Sequence, residues 1–391
     1  MFRTALPAAL ILLGCAPSSH GPRSEPPTPR ADPAPTARPP AVAPPREATV
    51  ERLAPPEVAY AHGWMPVAST GADRFIQEHP TYDGRGVLIA ILDTGVDPGV
   101  PGLRTTPSGD PKLVDVRDFS GEGRVPLTPV VPRGDTVEIA GRRLVGFGRV
   151  VGLSTGGPYY AGVLREPALG EPPAADLDGD GESSDTLALL VAKATDGWVV
   201  LADTDGDGSL AGERPIHDYL LAREFFGWSP RGTAPRVNLA ANFSERSGVP
   251  ALDLVFALDA HGTHVAGIAA ANDLYGVSGF DGVAPGAQLL GLKISDRANG
   301  SVSTSGAILA AMDHAIRFAA SRRMPLVLNL SFGVGNEREG DARIDQLLDS
   351  VLAVHPQLPI TVAAGNDGPG LSTLGFPGSA GRAISVGGSV P

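Results

Sequence analysis

The chain has 391 residues, with 31 Lys and Arg against 43 Asp and Glu, a formal charge of −12, and 42% hydrophobic against 19% charged residues. That composition suits a globular core. The acidic balance, with basic residues grouped only in pairs such as Arg322-Arg323, argues against nucleic-acid binding, because neutralising phosphates takes clustered Lys and Arg. Cys15 is the only cysteine, so no intrachain disulfide is available and the fold has to rest on packing.

In chain order, residues 1–15 place Arg3 before an apolar run that ends in Leu12-Leu13-Gly14-Cys15. A charged start, a short apolar stretch and a small residue before the cut have the form of a secretory signal. The Leu-Leu-Gly-Cys ending resembles a bacterial lipoprotein box, in which the cysteine becomes the lipidated N-terminus. The run is too short to span a bilayer. The expectation is an exported protein held at the bacterial cell envelope, at the outer membrane or cell surface, through a lipid on Cys15. Residues 16–57 follow, with 13 prolines in the 41 residues 16–56. Such a segment cannot bury enough apolar surface to offset its ordering entropy and reads as a disordered tether.

Residues 58–102 lead into the apolar run Val87–Leu92, which reads as a strand buried on both faces and ends in Asp93-Thr94-Gly95. A turn at the carboxyl end of a strand is where open α/β sheets place their sites. Residues 103–255 hold short β-like runs, Leu113–Val116 and Trp198–Leu201, between Gly, Pro and Asp, and read as an inserted β-rich subdomain. From 256 to 391 strands and helices alternate. His261–Ala270 is a helix of small and apolar residues, with glycines at 262 and 267 for close backbone approach. Then come a strand over 289–294, a helix over 304–322, a strand over 326–330, a helix over 342–354, and strands over 360–364 and 383–387. Alternation with apolar strands predicts an α/β fold with a doubly wound, mostly parallel sheet.

The chemistry-bearing residues sit at the ends of these elements. Asp93 follows a strand, His261 opens a helix, and Asn366 lies on a Gly-lined turn after another strand. An Asp beside a His fixes the imidazole tautomer, and a side-chain amide on a glycine turn suits an oxyanion donor. His261 and His264 do not form the metal pair of a His-Glu-x-x-His helix, because Gly262 stands where the Glu would be. His264 is therefore expected to be a packed helix histidine, and no metal is expected there. Asp176–Glu182 and Asp203–Ser209 alternate Asp with Gly like the first half of a calcium loop, yet position twelve holds Leu187 and Arg214 instead of Glu. Asp203, Asp205 and Asp207 are weak calcium candidates, with Asp-Gly turns as the plainer account; no other cofactor is expected.

The segments Asp93-Thr94-Gly95, His261–Gly267 and Ala363-Ala364-Gly365-Asn366, in that order, resemble the signatures of the subtilisin-like serine peptidases, the subtilases. The local sequences Gly95–Gly102, Asp203–Leu210, Gly282–Leu290 and Gly368–Thr373, together with the long insertion, are similar to the tripeptidyl peptidase II branch of that family. The resemblance covers about residues 60–391. It implies peptide-bond hydrolysis, protein or peptide substrates, Asp93 and His261 as catalytic residues, Asn366 as oxyanion donor, and Ser331-Phe332-Gly333 as a segment that pairs with an extended substrate. The family's nucleophile sits in a Gly-Thr-Ser-Met-Ala-like motif; residues 367–391 contain none, so the expectation is an N-terminal portion that is inactive by itself. The resemblance also implies two glutamates that clamp a free amino terminus, and those places hold Ser303 and Val334. The expectation is accordingly an endopeptidase. The alternatives are a tripeptidyl exopeptidase and a non-catalytic lipoprotein with a peptidase fold.

Overall fold

The computed structural model describes residues 65, 67–150, 152–154, 156–166, 176, 181–228, 237–297, 302–335 and 338–388. Residues 1–15, with Cys15, and the proline-rich stretch lie outside them. The organising layer is a six-stranded, all-parallel sheet: β1 (Leu88–Asp93), β2 (Leu113–Asp118), β3 (Gln288–Lys293), β4 (Leu326–Leu330), β5 (Ile360–Ala363) and β6 (Ile384–Val386), in the order β6-β5-β4-β1-β3-β2. Side chains alternate across each strand. On one face Leu88, Ala90 and Leu92 of β1 join Leu290, Leu328, Leu330 and Val362. That face packs on α2 (Ser305–Arg322) and α3 (Arg343–Val354). On the other, Ile91 and Leu289 pack with Ala266 and Ala270 of α1 (His261–Ala270). Covering both faces explains why β1 is apolar from Leu88 to Leu92 rather than alternating.

The small residues of α1 and α2 have a common purpose. The buried face of α2 is Ala307, Ala311, Ala315 and Ala319 with Ile308, Met312 and Phe318, while Leu309 and Ile316 are only half buried. Alanines let the helix axis lie close to the sheet. Thr304 caps its start by accepting the Ala307 N–H at 3.0 Å, satisfying one of the free donors of the first turn.

The span between β1 and α1 is largely antiparallel. A five-stranded sheet built around 159–165, 186–194 and 197–202 faces a four-stranded one that includes 238–246 and 249–255. Leu187, Leu189, Val191, Trp198, Val200, Phe226, Trp228, Leu239, Leu252 and Phe256 form the core between them. One strand departs from the sequence reading. Leu113–Asp118 falls within 103–255, yet it pairs parallel with β3 at the edge of the central sheet. The added antiparallel region therefore starts after Asp118.

Among the described residues no helix is long and apolar enough to cross a membrane.

Candidate active site

The turn leaving β1 and the first turn of α1 hold each other through reciprocal hydrogen bonds. The first N–H groups of a helix lack intrahelical acceptors, and Ala260 at the N-cap supplies no side-chain bond. Asp259 Oδ1 accepts the His261 N–H at 2.8 Å, and Thr94 Oγ1, 168 residues away in the chain, accepts the Gly262 N–H at 3.0 Å. In return Thr263 Oγ1 accepts the Asp97 N–H at 3.0 Å. The approach is so close that a Cβ on Gly262 would lie 2.3 Å from the Gly95 carbonyl oxygen and 3.0 Å from Asp93 Cβ. Gly95 itself takes φ +113°, and a Cβ there would meet the Phe256 carbonyl oxygen at 2.8 Å. Glycine is required at both positions.

This clasp aligns Asp93 with His261. His261 Nδ1 lies 2.7 Å from Asp93 Oδ1. The same oxygen accepts the Thr94 N–H at 2.7 Å. The Asp93 side chain is 2% exposed and that of His261 49%. A carboxylate can only accept, so the contact puts the ring proton on Nδ1 and leaves Nε2 with a lone pair directed away from Asp93. A base oriented by a buried acid and open on its far side can take a proton from a bound hydroxyl.

Parallel pairing brings the other sequence-derived positions to the same carboxyl edge of the sheet. Asn366 is exposed, three residues beyond β5, after Gly365 at φ +99°. Ser331-Phe332-Gly333 leave β4, which neighbours β1. Asn329 Nδ2 donates to Ser331 Oγ at 2.9 Å, and Thr361 Oγ1 donates to Asn329 Oδ1 at 3.0 Å, so side chains tie the exit of β4 to the beginning of β5. Val334 then exchanges backbone bonds of 3.0 Å with Phe376 in both directions. Ser303 lies on a two-residue strand paired with Ser295–Asp296, its hydroxyl oxygen buried with no hydrogen-bond partner among the described residues. Glu337 and Glu339, a few residues beyond Val334, could stand in for a missing carboxylate only if the loop folded back; Glu339 is exposed, and Glu337 lies outside the described residues.

Two expectations about α1 are corrected. His264 is exposed, not packed, because the face of α1 that meets the sheet consists of Gly262, Ala266, Gly267 and Ala270. Gly267 is not a site of backbone approach, its nearest outside atom being Leu274 Cδ2 at 3.9 Å from a Cβ position. At that end of the helix the necessary glycine is Gly282, where a Cβ would lie 2.6 Å from the Gly267 oxygen and the Ala270 nitrogen. Sequence reading also passed over Lys293, a charge inside the apolar run 289–294; that break in pattern was its available signal.

Among the described residues Asp203, Asp205 and Asp207 bring one carboxylate oxygen each within 4.8 Å of one another. Asp205 and Asp207 are exposed. Buried Asp203 is already engaged: Arg142 Nη2 donates to its Oδ2 at 2.7 Å and to the Gly206 carbonyl at 3.3 Å. The guanidinium thus supplies a positive charge beside that carboxylate. Burial raises the Asp203 carboxyl above its ordinary value. Burial likewise pushes the neighbouring Glu213 up to about 7, with Asp205 and Asp203 adding to the rise. A raised carboxyl binds its proton more tightly folded than unfolded. Its contribution is therefore complete below the ordinary value of 4.5 and is lost as pH rises through about 7. Relative to the native protein, Glu213→Gln should flatten the fall in melting temperature between about pH 5 and 8. Parallel curves for the two proteins would contradict this.

With this geometry in view, comparison with known proteins identifies the family. A profile of the subtilase family matches residues 84–390. The chain belongs to the subtilase family. Tripeptidyl-peptidase 2 of Oryza sativa subsp. japonica is 29% identical, over 84% of this chain and 28% of its own length. That of Caenorhabditis elegans is 30% identical, over 79% and 26%. Pyrolysin of Pyrococcus furiosus is 30% identical, over 80% and 25%. The subtilase chain described here thus spans roughly a quarter of the length of these relatives. The crystal structure of tripeptidyl peptidase 2 superposes with a TM-score of 0.66 at 24% identity, covering 81% of this chain and 29% of that one, a likeness of fold.

Proposed function

We propose that the complete protein is an exported serine endopeptidase, and that this chain carries its base, its orienting acid and its oxyanion donor. The observation that carries the proposal is the 2.7 Å contact between His261 Nδ1 and a buried Asp93. In this reading Asp93 holds the imidazole in one tautomer and stabilises the imidazolium as it forms, while Nε2 takes the proton of a serine hydroxyl. The nucleophile of this reading is a serine of the complete protein, and this chain spans roughly a quarter of the length of the relatives it matches. Asn366 donates to the oxygen on which charge develops. Ser331-Phe332-Gly333 receives the substrate as an added strand. The Leu-Leu-Gly-Cys segment supports lipid attachment at Cys15 and a place on the bacterial envelope.

The similarity to tripeptidyl peptidases supports a second reading, stepwise release of tripeptides. Ser303 and Val334 favour the endopeptidase. Neither side chain can neutralise an ammonium group, and an ammonium removed from water without a carboxylate is costly. The test gives the complete protein one peptide in two forms, with a free and with an acetylated amino terminus. Similar rates at internal bonds are expected for both. Loss of cleavage on acetylation, with successive tripeptides from the free form, would overturn the endopeptidase reading.

A further inference from the structure

Behind the Asp93–His261 contact lies a buried ion pair that the proposed chemistry does not use. Lys293 ends β3 directly opposite Asp93 in the parallel register. Its ammonium lies 2.9 Å from Glu122 Oε2, with the two side chains 2% and 0% exposed. The ammonium also donates to the Thr94 carbonyl at 3.0 Å and sits 5.6 Å from the centroid of the Phe256 ring. The ammonium therefore donates one N–H to a carbonyl, with a carboxylate at ion-pair distance and a ring face beside it. Glu122 in turn belongs to the turn 119–123, where Asp118 accepts the Ser120 and Gly123 N–H groups at 2.7 and 2.8 Å. The Gly123 carbonyl accepts the Leu254 N–H at 2.9 Å, which fastens the turn to the antiparallel region.

Thr94 joins this pair to the site. Its carbonyl receives Lys293, its N–H donates to the Asp93 oxygen that His261 also binds, and its hydroxyl accepts the N–H of Gly262 next to His261. A shift of the whole Thr94 residue would disturb both ends of the His261 contact. We propose that Lys293 and Glu122 are positioning residues: the pair anchors the Thr94 carbonyl and thereby sets the orientation of Asp93 and His261, coupling the added antiparallel region to the dyad. The proposal rests on reading His261 as the base.

A purely structural pair and a positioning pair respond differently to joint neutralisation. Removing one partner strands a buried charge, whereas replacing both by uncharged residues of similar size is often neutral for stability. The full chain is compared with Lys293→Met/Glu122→Gln by NMR of the low-field proton on His261 Nδ1, assigned by its loss in His261→Ala. Positioning predicts that the double variant melts cooperatively while this proton exchanges with water about tenfold faster, the weight of one hydrogen bond. An exchange rate equal to the native one in the folded double variant overturns the proposal. Should the double variant not fold, Glu122→Gln carries the test, and an unchanged rate there overturns it equally. Absence of any His261 low-field proton in the native chain would instead defeat the dyad reading itself, so the two failures are separable.

Discussion

In the complete protein, His261→Ala is expected to lower kcat by about 10⁶, with KM changed little. The magnitude is that of losing the base of the subtilisin triad. The physical reason lies in the partition of the imidazole: one nitrogen is committed to Asp93 at 2.7 Å, and a ring 49% exposed leaves the other open to a substrate-bound hydroxyl. Without the ring a serine hydroxyl keeps its proton and is a weak nucleophile. The remaining activity would come from the oxyanion donor and substrate binding, and adding Asn366→Ala to the same background measures that remainder, at about 10²–10³ in rate for a single donor. Turnover of His261→Ala within tenfold of the native protein would show that the base is elsewhere. A serine-directed phosphonate gives an independent reading, since labelling of the complete protein should fall with the same substitution.

The second large effect is expected from a methyl group. Gly262→Ala places a Cβ 2.3 Å from the Gly95 oxygen, 3.0 Å from Asp93 Cβ and 3.1 Å from Asp93 Oδ1. All three atoms move only with the backbone or with the acid itself, so α1 has to shift away from β1. Overpacking of this kind costs about 1–3 kcal/mol, and a displacement near 1 Å at the reacting groups costs about 10² in rate. Gly267→Ala is the matched control on the same helix. Its Cβ would meet only Leu274 Cδ2 at 3.9 Å, and alanine is the better helix former by about 1 kcal/mol. Thermal melting should therefore separate the two variants in opposite directions from the native chain. Equal melting temperatures would show that close approach at Gly262 does not govern the site.

The contrast between these two glycines marks the boundary of what the amino-acid order conveys. Strand ends and helix starts are local events. The apolar run before Asp93, the small residues after His261 and the glycine turn around Asn366 each declare their own conformation, and a parallel sheet then carries them to one edge. That is why the places of Asp93, His261 and Asn366 at the ends of elements were legible, along with the alternation of strands and helices from 288 to 386. Which glycine admits a neighbouring backbone was not legible, since Gly262 and Gly267 look alike in sequence and only at Gly262 does another backbone come within reach of a Cβ position. Nor was the exposure of His264, which depends on the angle at which α1 meets the sheet. The strand 113–118 has the same apolar character whether it pairs with β3 or with its antiparallel successors, and only the partner it finds decides. Lys293 showed itself as a charge in an apolar strand, but its counterion Glu122 lies 171 residues earlier in an ordinary polar turn. Local propensity and hydrophobic period determined the elements and the chemistry at their tips. Pairing across long sequence separations decided burial, ion partners and the fit of α1 against β1, because those energies depend on atoms that the chain brings together only when it is folded.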